Sequence, residues 1–186
     1  MWQARVVTDP FTTALIAELG KKTGVCWLRY DAGEPGGGPP PRARAAWHVW
    51  YDDALHLVAG GGEQPLPGIA DAERVEVLMR SKENGGRLLA WVGSVSVVGP
   101  SDESWEDVTT ALVAGRLNLA DLSTAKEGWA ANSVVVRIDP TGELLEEPGS
   151  LSDDAHAAPP APTEATTRGA LPRVLHRRQR RRPGLS

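Results

Sequence analysis

The chain has 186 residues, 41% of them hydrophobic and 24% charged, a composition that suits one soluble globular domain with room for a tail. It contains no apolar run of about 18 residues and no N-terminal basic segment followed by an apolar core, so neither a membrane span nor a secretory signal is expected. The single cysteine, Cys26, excludes an internal disulfide and a cysteine-rich metal cluster. Together these features predict a cytoplasmic protein.

The net charge of −4 is unevenly distributed along the chain. Seven arginines and no acidic residue follow from Arg168 onward, so residues 1–167 carry a net charge of about −11. An acidic body is not typical of a nucleic-acid-binding domain. The arginine-rich end is ordinarily a solvated segment, and binding of nucleic acid or an acidic partner through it is kept as a third hypothesis.

A helix and a strand are predicted at the start of the chain. Phe11, Leu15, Ile16 and Leu19 lie at helical spacing in residues 11–22, and Gly20 with the following lysines is typical of a helix end. The next segment, GVCWLRY, has the pattern of a strand, and its cysteine is expected to be a buried, inert thiol. The Gly/Pro-rich DAGEPGGGPPPRAR predicts a long projecting loop.

Residues 44–98 alternate strand patterns with turn signals, and we take this stretch as the organising part of the chain. Asp52-Asp53 and the ENGG segment at 83–86 predict tight turns, and Gly93 indicates a bulge. In the second strand, Leu55 and Leu57 should lie on the face opposite His56 and Val58. The predicted strands are residues 45–51, 54–59, 75–81 and 87–98.

The remainder of the body predicts helix 103–116, a shorter helix after it, and a last strand at 133–138 that ends at Asp139-Pro140. Residues 1–147 are therefore interpreted as one domain. Residues 148–186 are rich in Ala, Pro and charge and poor in large apolar groups, which predicts a disordered tail. Strands joined mainly by short turns predict a mainly β fold with flanking helices (α+β), in which an antiparallel sheet closes to remove its edges.

Sequence motifs for catalysis are absent: there is no GxSxG, HExxH, phosphate loop or dinucleotide fingerprint. His48 and His56 have no cysteine or acidic pattern that would complete a zinc site, so no metal is predicted. A basic group at Arg80, Lys82 and Arg87 suits a phosphate, although from the residues alone a solvated hairpin end is the favoured explanation. Three tryptophans either belong to the core or form the wall for a flat ring: Trp47, Trp50 and Trp91.

The hairpin AAWHVWYDDALHLVAG, followed by a turn segment, a strand and the long GRLLAWVGSVSVV, resembles the antiparallel split β-barrel of the pyridoxamine 5'-phosphate oxidase-like superfamily. The resemblance covers residues 11–140 in element order. It implies a homodimer with FMN, or a deazaflavin as in actinobacterial relatives, held between subunits. By position it places the ring beside Ala45, Ala46, Trp47 and His48, and the ribityl phosphate near Val58 and Ala59.

The chain departs from this family pattern directly after the predicted 54–59 strand. Relatives that bind FMN follow this strand with a hydroxyl residue and a basic residue, whereas this chain has Gly60-Gly61-Gly62-Glu63-Gln64. An acid there repels phosphate unless the basic residues at 80, 82 or 87 compensate.

Two hypotheses follow from the resemblance and its limits. One is a flavin- or deazaflavin-dependent redox protein acting on an unidentified small molecule. The other is a non-catalytic split-barrel dimer that has lost flavin binding. The substrate-binding C-terminal segment of true pyridoxamine phosphate oxidases has no counterpart here, so that activity is excluded. No catalytic residue is assigned; His48 is the first candidate to test, because a histidine can titrate near neutral pH.

Overall fold

The computed structural model describes residues 5–6, 10–31, 42–81, 85–116 and 124–151. Most of the predicted projecting loop, the tip of the hairpin with Lys82, and nearly all of the predicted tail lie outside the described residues. No helix among the described residues is long and apolar enough to cross a membrane.

Eight strands, three α-helices and one short 3-10 helix make up the described body. The strands are β1 (Arg5–Val6), β2 (Val25–Arg29), β3 (Arg44–Trp47), β4 (Val49–Tyr51), β5 (Ala54–Ala59), β6 (Arg74–Arg80), β7 (Arg87–Val98) and β8 (Val134–Glu146). The helices are α1 (Pro10–Lys22), α2 (Trp105–Gly115) and α3 (Ala125–Asn132), and the 3-10 helix is Ile69–Asp71.

The strands form a single sheet in the order β3-β2-β6-β7-β8-β5-β4, in which every pair is antiparallel, and β1 pairs with β8. The two ends of this order, β3 and β4, are consecutive in the chain and are separated by His48 alone. The sheet therefore curls until its ends meet. The prediction of a mainly β, antiparallel sheet that closes on itself, with flanking helices, is confirmed.

One predicted strand is in fact two. The sequence suggested a continuous strand over residues 45–51, but its first half pairs with β2 and its second half with β5. The change of partner occurs at His48, whose backbone N–H donates to the Gly24 carbonyl at 3.2 Å. Residue patterns reveal that a segment is extended, but they do not reveal a change of partner, so this division was missed.

The last strand is longer than predicted. The sequence placed its end at Asp139-Pro140, yet β8 continues to Glu146. Pro140 lies opposite Gly93, beside a shift in the β7–β8 register between Val92 and Gly93. A proline is tolerated at such a bulge because the ladder bond that it cannot donate is already interrupted there. The short strand β1, which pairs with this extension, was also not predicted.

Two hydrophobic clusters lie on opposite faces of the sheet. The larger one fills the barrel and includes Trp91, which confirms the core interpretation for that tryptophan. The second lies outside the barrel, where α2 and α3 cover one part of the sheet. Its buried members are Val58, Val98, Val108, Leu112, Ala125, Trp129 and Val135.

Candidate functional site

Strand alternation separates the four residues that the resemblance placed beside a ring. The side chains of Ala46 and His48 are buried, at 1% and 2% exposure, whereas Ala45 is exposed and Trp47 is half-buried on the outer face. In a strand, successive side chains point to opposite faces, so these four residues cannot all line one surface. Only Ala45 and Trp47 face the outside of the sheet, and Trp47 packs in part against the outer cluster.

His48 is part of the interior rather than a titrating surface group. Its Nε2 lies 3.3 Å from the Gly20 carbonyl oxygen at the end of α1. Burial lowers the pKa of His48 to about 4. The hydrogen bond to Gly20 favours the charged form and acts in the opposite direction, but its effect is smaller. His48 is therefore neutral at pH 7, and the expectation that it titrates near neutrality is wrong.

An apolar surface, which we call the outer shelf, is formed by Val25, Trp27, Ala45 and Trp47. Val25 lies opposite Trp47 and Trp27 lies opposite Ala45 in the β2–β3 ladder. Val25 is 42% exposed, Ala45 is exposed, and both tryptophans are half-buried. Trp27 was missed in the sequence, although its alternation with the buried Cys26 and Leu28 was a signal that it faces outward.

Arg80 lies at one end of the outer shelf. Its guanidinium carbon is 4.2 Å from the centroid of the Trp27 ring, a stacked cation–π contact. Within the described part of the chain, no carboxylate forms an ion pair with Arg80. Arg87, by contrast, is paired through Nε with Oε2 of the buried Glu146 at 2.9 Å. Of the predicted basic group, Arg80 reaches the shelf, Arg87 is engaged elsewhere, and Lys82 is outside the described residues.

A second arginine, Arg116, lies at the other end of the outer shelf. Its guanidinium carbon is 5.4 Å from the centroid of the Trp47 ring, and it forms an ion pair with Glu63. The other oxygen of Glu63 accepts a hydrogen bond from the indole nitrogen of Trp129 at 2.9 Å. The acid that seemed to repel a phosphate is thus neutralised within the chain by a residue at the end of α2. Sequence patterns gave no signal for this contact, since the two residues are far apart in the chain.

Gln64 fixes the Trp47 end of the shelf. Its side-chain oxygen accepts from the Trp47 backbone N–H at 2.6 Å, and its side-chain nitrogen donates to the Trp47 carbonyl at 2.8 Å. The Gln64 carbonyl in turn accepts from the Gly60 N–H at 3.1 Å. Both backbone polar groups of Trp47 are therefore satisfied, and the end of β5 is held beside the end of β3.

Val58 and Ala59, the positions that the resemblance placed near a phosphate, are both buried. Val58 packs in the outer cluster beneath α2 and α3, and Ala59 packs in the barrel. The loop that follows presses against the end of α3: a Cβ at Gly61 would lie 2.4 Å from the Asn132 carbonyl oxygen. The chain's own helices thus cover the outer side of β5 at Val58.

The arrangement offers a row of exposed and half-buried apolar side chains with a guanidinium at each end, which suits recognition of a planar ring carrying negative charge. The second histidine of the body, His56, is fully buried, and burial together with the nearby Arg137 lowers its pKa to about 4. Neither described histidine is therefore placed to exchange a proton with a ligand on the shelf at pH 7.

No family model and no curated protein sequence matches the chain. Solved structures with a similar fold include HutZ, the heme storage protein of Vibrio cholerae, with 14% identity, a TM-score of 0.50, and coverage of 68% of this chain and 88% of HutZ. The conserved hypothetical protein Rv2991 of Mycobacterium tuberculosis has 15% identity, a TM-score of 0.51, and coverage of 75% and 85%. Atu2129 of Agrobacterium tumefaciens, of unknown function, has 16% identity, a TM-score of 0.50, and coverage of 74% and 57%.

The chain therefore shares its split-barrel fold with these structures. Identities of 14–16% show a shared fold alone. The ligand of the outer shelf has to be inferred from the residues that form the shelf.

Proposed function

We propose that the outer shelf binds the ring of a flavin or a deazaflavin, and that the protein is a redox protein acting on an unidentified small molecule. The observation that carries this proposal is the pairing of Trp27 with the small, exposed Ala45, in the row next to Val25 and Trp47. A planar ring stacked there removes both apolar surfaces from water, and aromatic contact adds about 0.5–1.5 kcal/mol beyond the area buried.

The shelf is organised before any ligand arrives. Gln64 holds the Trp47 backbone through two hydrogen bonds, and the Arg80 guanidinium already stacks on Trp27. Side chains that are fixed in advance lose little conformational entropy on binding, which raises affinity for a rigid ring. The residues therefore fit the ring portion of such a cofactor, with Trp27, Ala45 and Trp47 as its wall.

When bound, a flavin or deazaflavin supplies the hydride chemistry. The chain's own contribution is to orient the ring and to keep water from one of its faces. A ring that lies on an open sheet face needs a second wall, and we include in the proposal that a second copy of the chain provides it, giving a homodimer. No general acid or base is assigned, since His48 and His56 are buried and neutral.

The test is the visible absorbance of the purified full-length protein, followed by titration with FMN, riboflavin and a deazaflavin while tryptophan fluorescence is recorded. Saturable quenching is expected, because Trp27 and Trp47 lie against the bound ring. A colourless protein whose fluorescence responds to none of the three ligands contradicts the proposal.

A matched pair of variants locates the site. Ala45→Leu fills the shelf with a larger side chain and should abolish quenching, whereas Ser96→Leu, at an exposed position of β7, should leave it unchanged. Both positions are exposed, so both variants should unfold at nearly the wild-type urea concentration. Equal loss of binding in the two variants contradicts this location.

A second candidate is a split-barrel protein that binds no flavin. Two observations favour it: Gln64 already uses both backbone polar groups of Trp47, and Glu63 already holds Arg116. The same titration decides between the candidates, because this one requires that no ring quenches the tryptophans. Binding of heme, which HutZ stores, has less support, since an iron ligand such as histidine is needed and both described histidines are buried.

A further inference from the structure

The two ends of the outer shelf carry cations of unequal availability. Arg80 stacks on Trp27 and has no acidic partner among the described residues. Arg116 stacks on Trp47, but its charge is cancelled by Glu63, whose side chain is 10% exposed. An anion approaching the shelf therefore meets a net positive charge at the Arg80 end and a neutral pair at the Trp47 end.

The register of the sheet gives the separation of these ends. Trp27 lies between Ala45 on β3 and Leu78 on β6. Arg80 lies on β6, which is two strands away from β3 and Trp47 in the sheet order. Neighbouring strands are about 4.8 Å apart, so the backbones of Arg80 and Trp47 are separated by roughly 10 Å across the sheet. A ring on the shelf can therefore direct its anionic chain toward one end only.

We propose that the unequal charge of the two ends orients a phosphate-bearing ligand, whose phosphate binds Arg80. Glu63 is a specificity residue, because its ion pair with Arg116 keeps that arginine from binding the phosphate. This inference rests on the proposed ring-binding function. The family resemblance had placed the phosphate near Val58 and Ala59, whereas this inference places it at the opposite end of the shelf.

Glu63 is well suited to this role because both of its oxygens are engaged. One accepts from the Trp129 indole nitrogen and the other meets Arg116. A phosphate that bound Arg116 would leave a largely buried carboxylate without its counter-ion. An unpaired buried charge is strongly destabilising. Arg80 has no acidic partner among the described residues, and its guanidinium can donate two parallel hydrogen bonds to a phosphate.

The experiment compares the dissociation constants of FMN and riboflavin, which share the ring and differ by the phosphate. In the wild-type protein FMN should bind about tenfold more tightly, which corresponds to about 1.4 kcal/mol, the scale of a hydrogen bond to a charged group. Arg80→Gln should reduce this preference to about one while riboflavin still binds. The exposed Arg74→Gln, which removes the same charge from a position off the shelf, should keep it.

The double variant Glu63→Gln/Arg116→Gln tests the other end. It removes both charges together and therefore leaves no buried carboxylate without a partner. The preference for FMN should remain about tenfold in this variant.

The outcomes separate the two proposals. A wild-type preference near one, or a preference that survives Arg80→Gln and is lost in the double variant, overturns the assignment of the phosphate end while leaving ring binding intact. Failure of the wild-type protein to bind either ligand instead overturns the proposed function, and with it this inference. Arg80 is exposed, so its variant is expected to fold and its result alone can decide.

Discussion

β3 and β5 belong to the same barrel wall, and both were predicted to line a cofactor, yet their outer faces differ. On β5 all six residues are buried: Leu55, Leu57 and Ala59 pack in the barrel core, and Val58 packs in the α2–α3 cluster. On β3, Ala46 faces the core whereas Ala45 remains exposed on the outside. A strand of a barrel is thus available for a ligand only where no helix of the chain covers it.

β3 therefore presents a small and an aromatic side chain on its outer face, Ala45 and Trp47. β5 is buried on both faces, and Glu63 in the loop after it forms an ion pair with Arg116.

The largest effect is expected from a charge placed on each strand in turn. Val58→Asp buries a carboxylate in the outer cluster and should lower the free energy of unfolding by more than about 4 kcal/mol, or prevent folding. Ala45→Asp places the same carboxylate on the outer shelf and should cost less than about 1 kcal/mol. Urea unfolding of both variants measures the difference. Similar losses would mean that β3 is also covered.

A smaller effect is expected from a shorter side chain in the cluster beneath α2 and α3. Leu112 is fully buried in the outer cluster, and Leu112→Ala should lower the free energy of unfolding by about 3 kcal/mol through lost burial and the cavity left behind. The shelf on β2 and β3 should keep its affinity for a ring. Val97→Ala, at a 48% exposed valine, serves as the control for a lost apolar side chain. A clearly weaker dissociation constant for the ring in folded Leu112→Ala protein would show that the two regions are coupled.

The smallest effect concerns pH. Burial lowers the pKa values of His48 and His56 from 6.5 to about 4 in the folded protein, so the unfolded chain binds more protons between these values. The free energy of unfolding should therefore be constant above pH 6.5 and fall as the pH decreases toward 4, by on the order of 2 kcal/mol for each histidine at about pH 5.

His56→Gln, which removes the β5 histidine, should lessen this dependence by about half. Urea titrations at a series of pH values measure it. A variant with the full wild-type slope would contradict the burial-lowered pKa of His56.

Sequence reasoning recovered most strands and the three helices because their signals are local. The turn at Asp52-Asp53 is an example: both residues have positive φ, as the short connection between β4 and β5 demands. The missed features are non-local. The division at His48 depends on which strands its two neighbours pair with, and the continuation of β8 past Pro140 depends on a bulge opposite Gly93.

The candidate site shows the same limit. Ala45, Trp47 and Arg80 were named from the sequence and do share the outer face, whereas alternation alone could have excluded Ala46. The roles of Trp27, Gln64 and Arg116 were not foreseen. Each depends on a contact between segments that are distant in the chain, and a single sequence carries no record of such contacts.

Local sequence is enough to predict the strand and helix periods, the tight turns, and the apolar and aromatic side chains of the barrel and the outer shelf. Tertiary packing decides which of those side chains remain accessible, because α2 and α3 cover Val58 of β5 whereas Ala45 of β3 stays exposed. It also decided the charge of the site. Glu63 and Arg116 lie at distant positions in the chain, and the fold brings their opposite charges together in an ion pair. Arg80 is thereby left as the cation at the other end of the shelf.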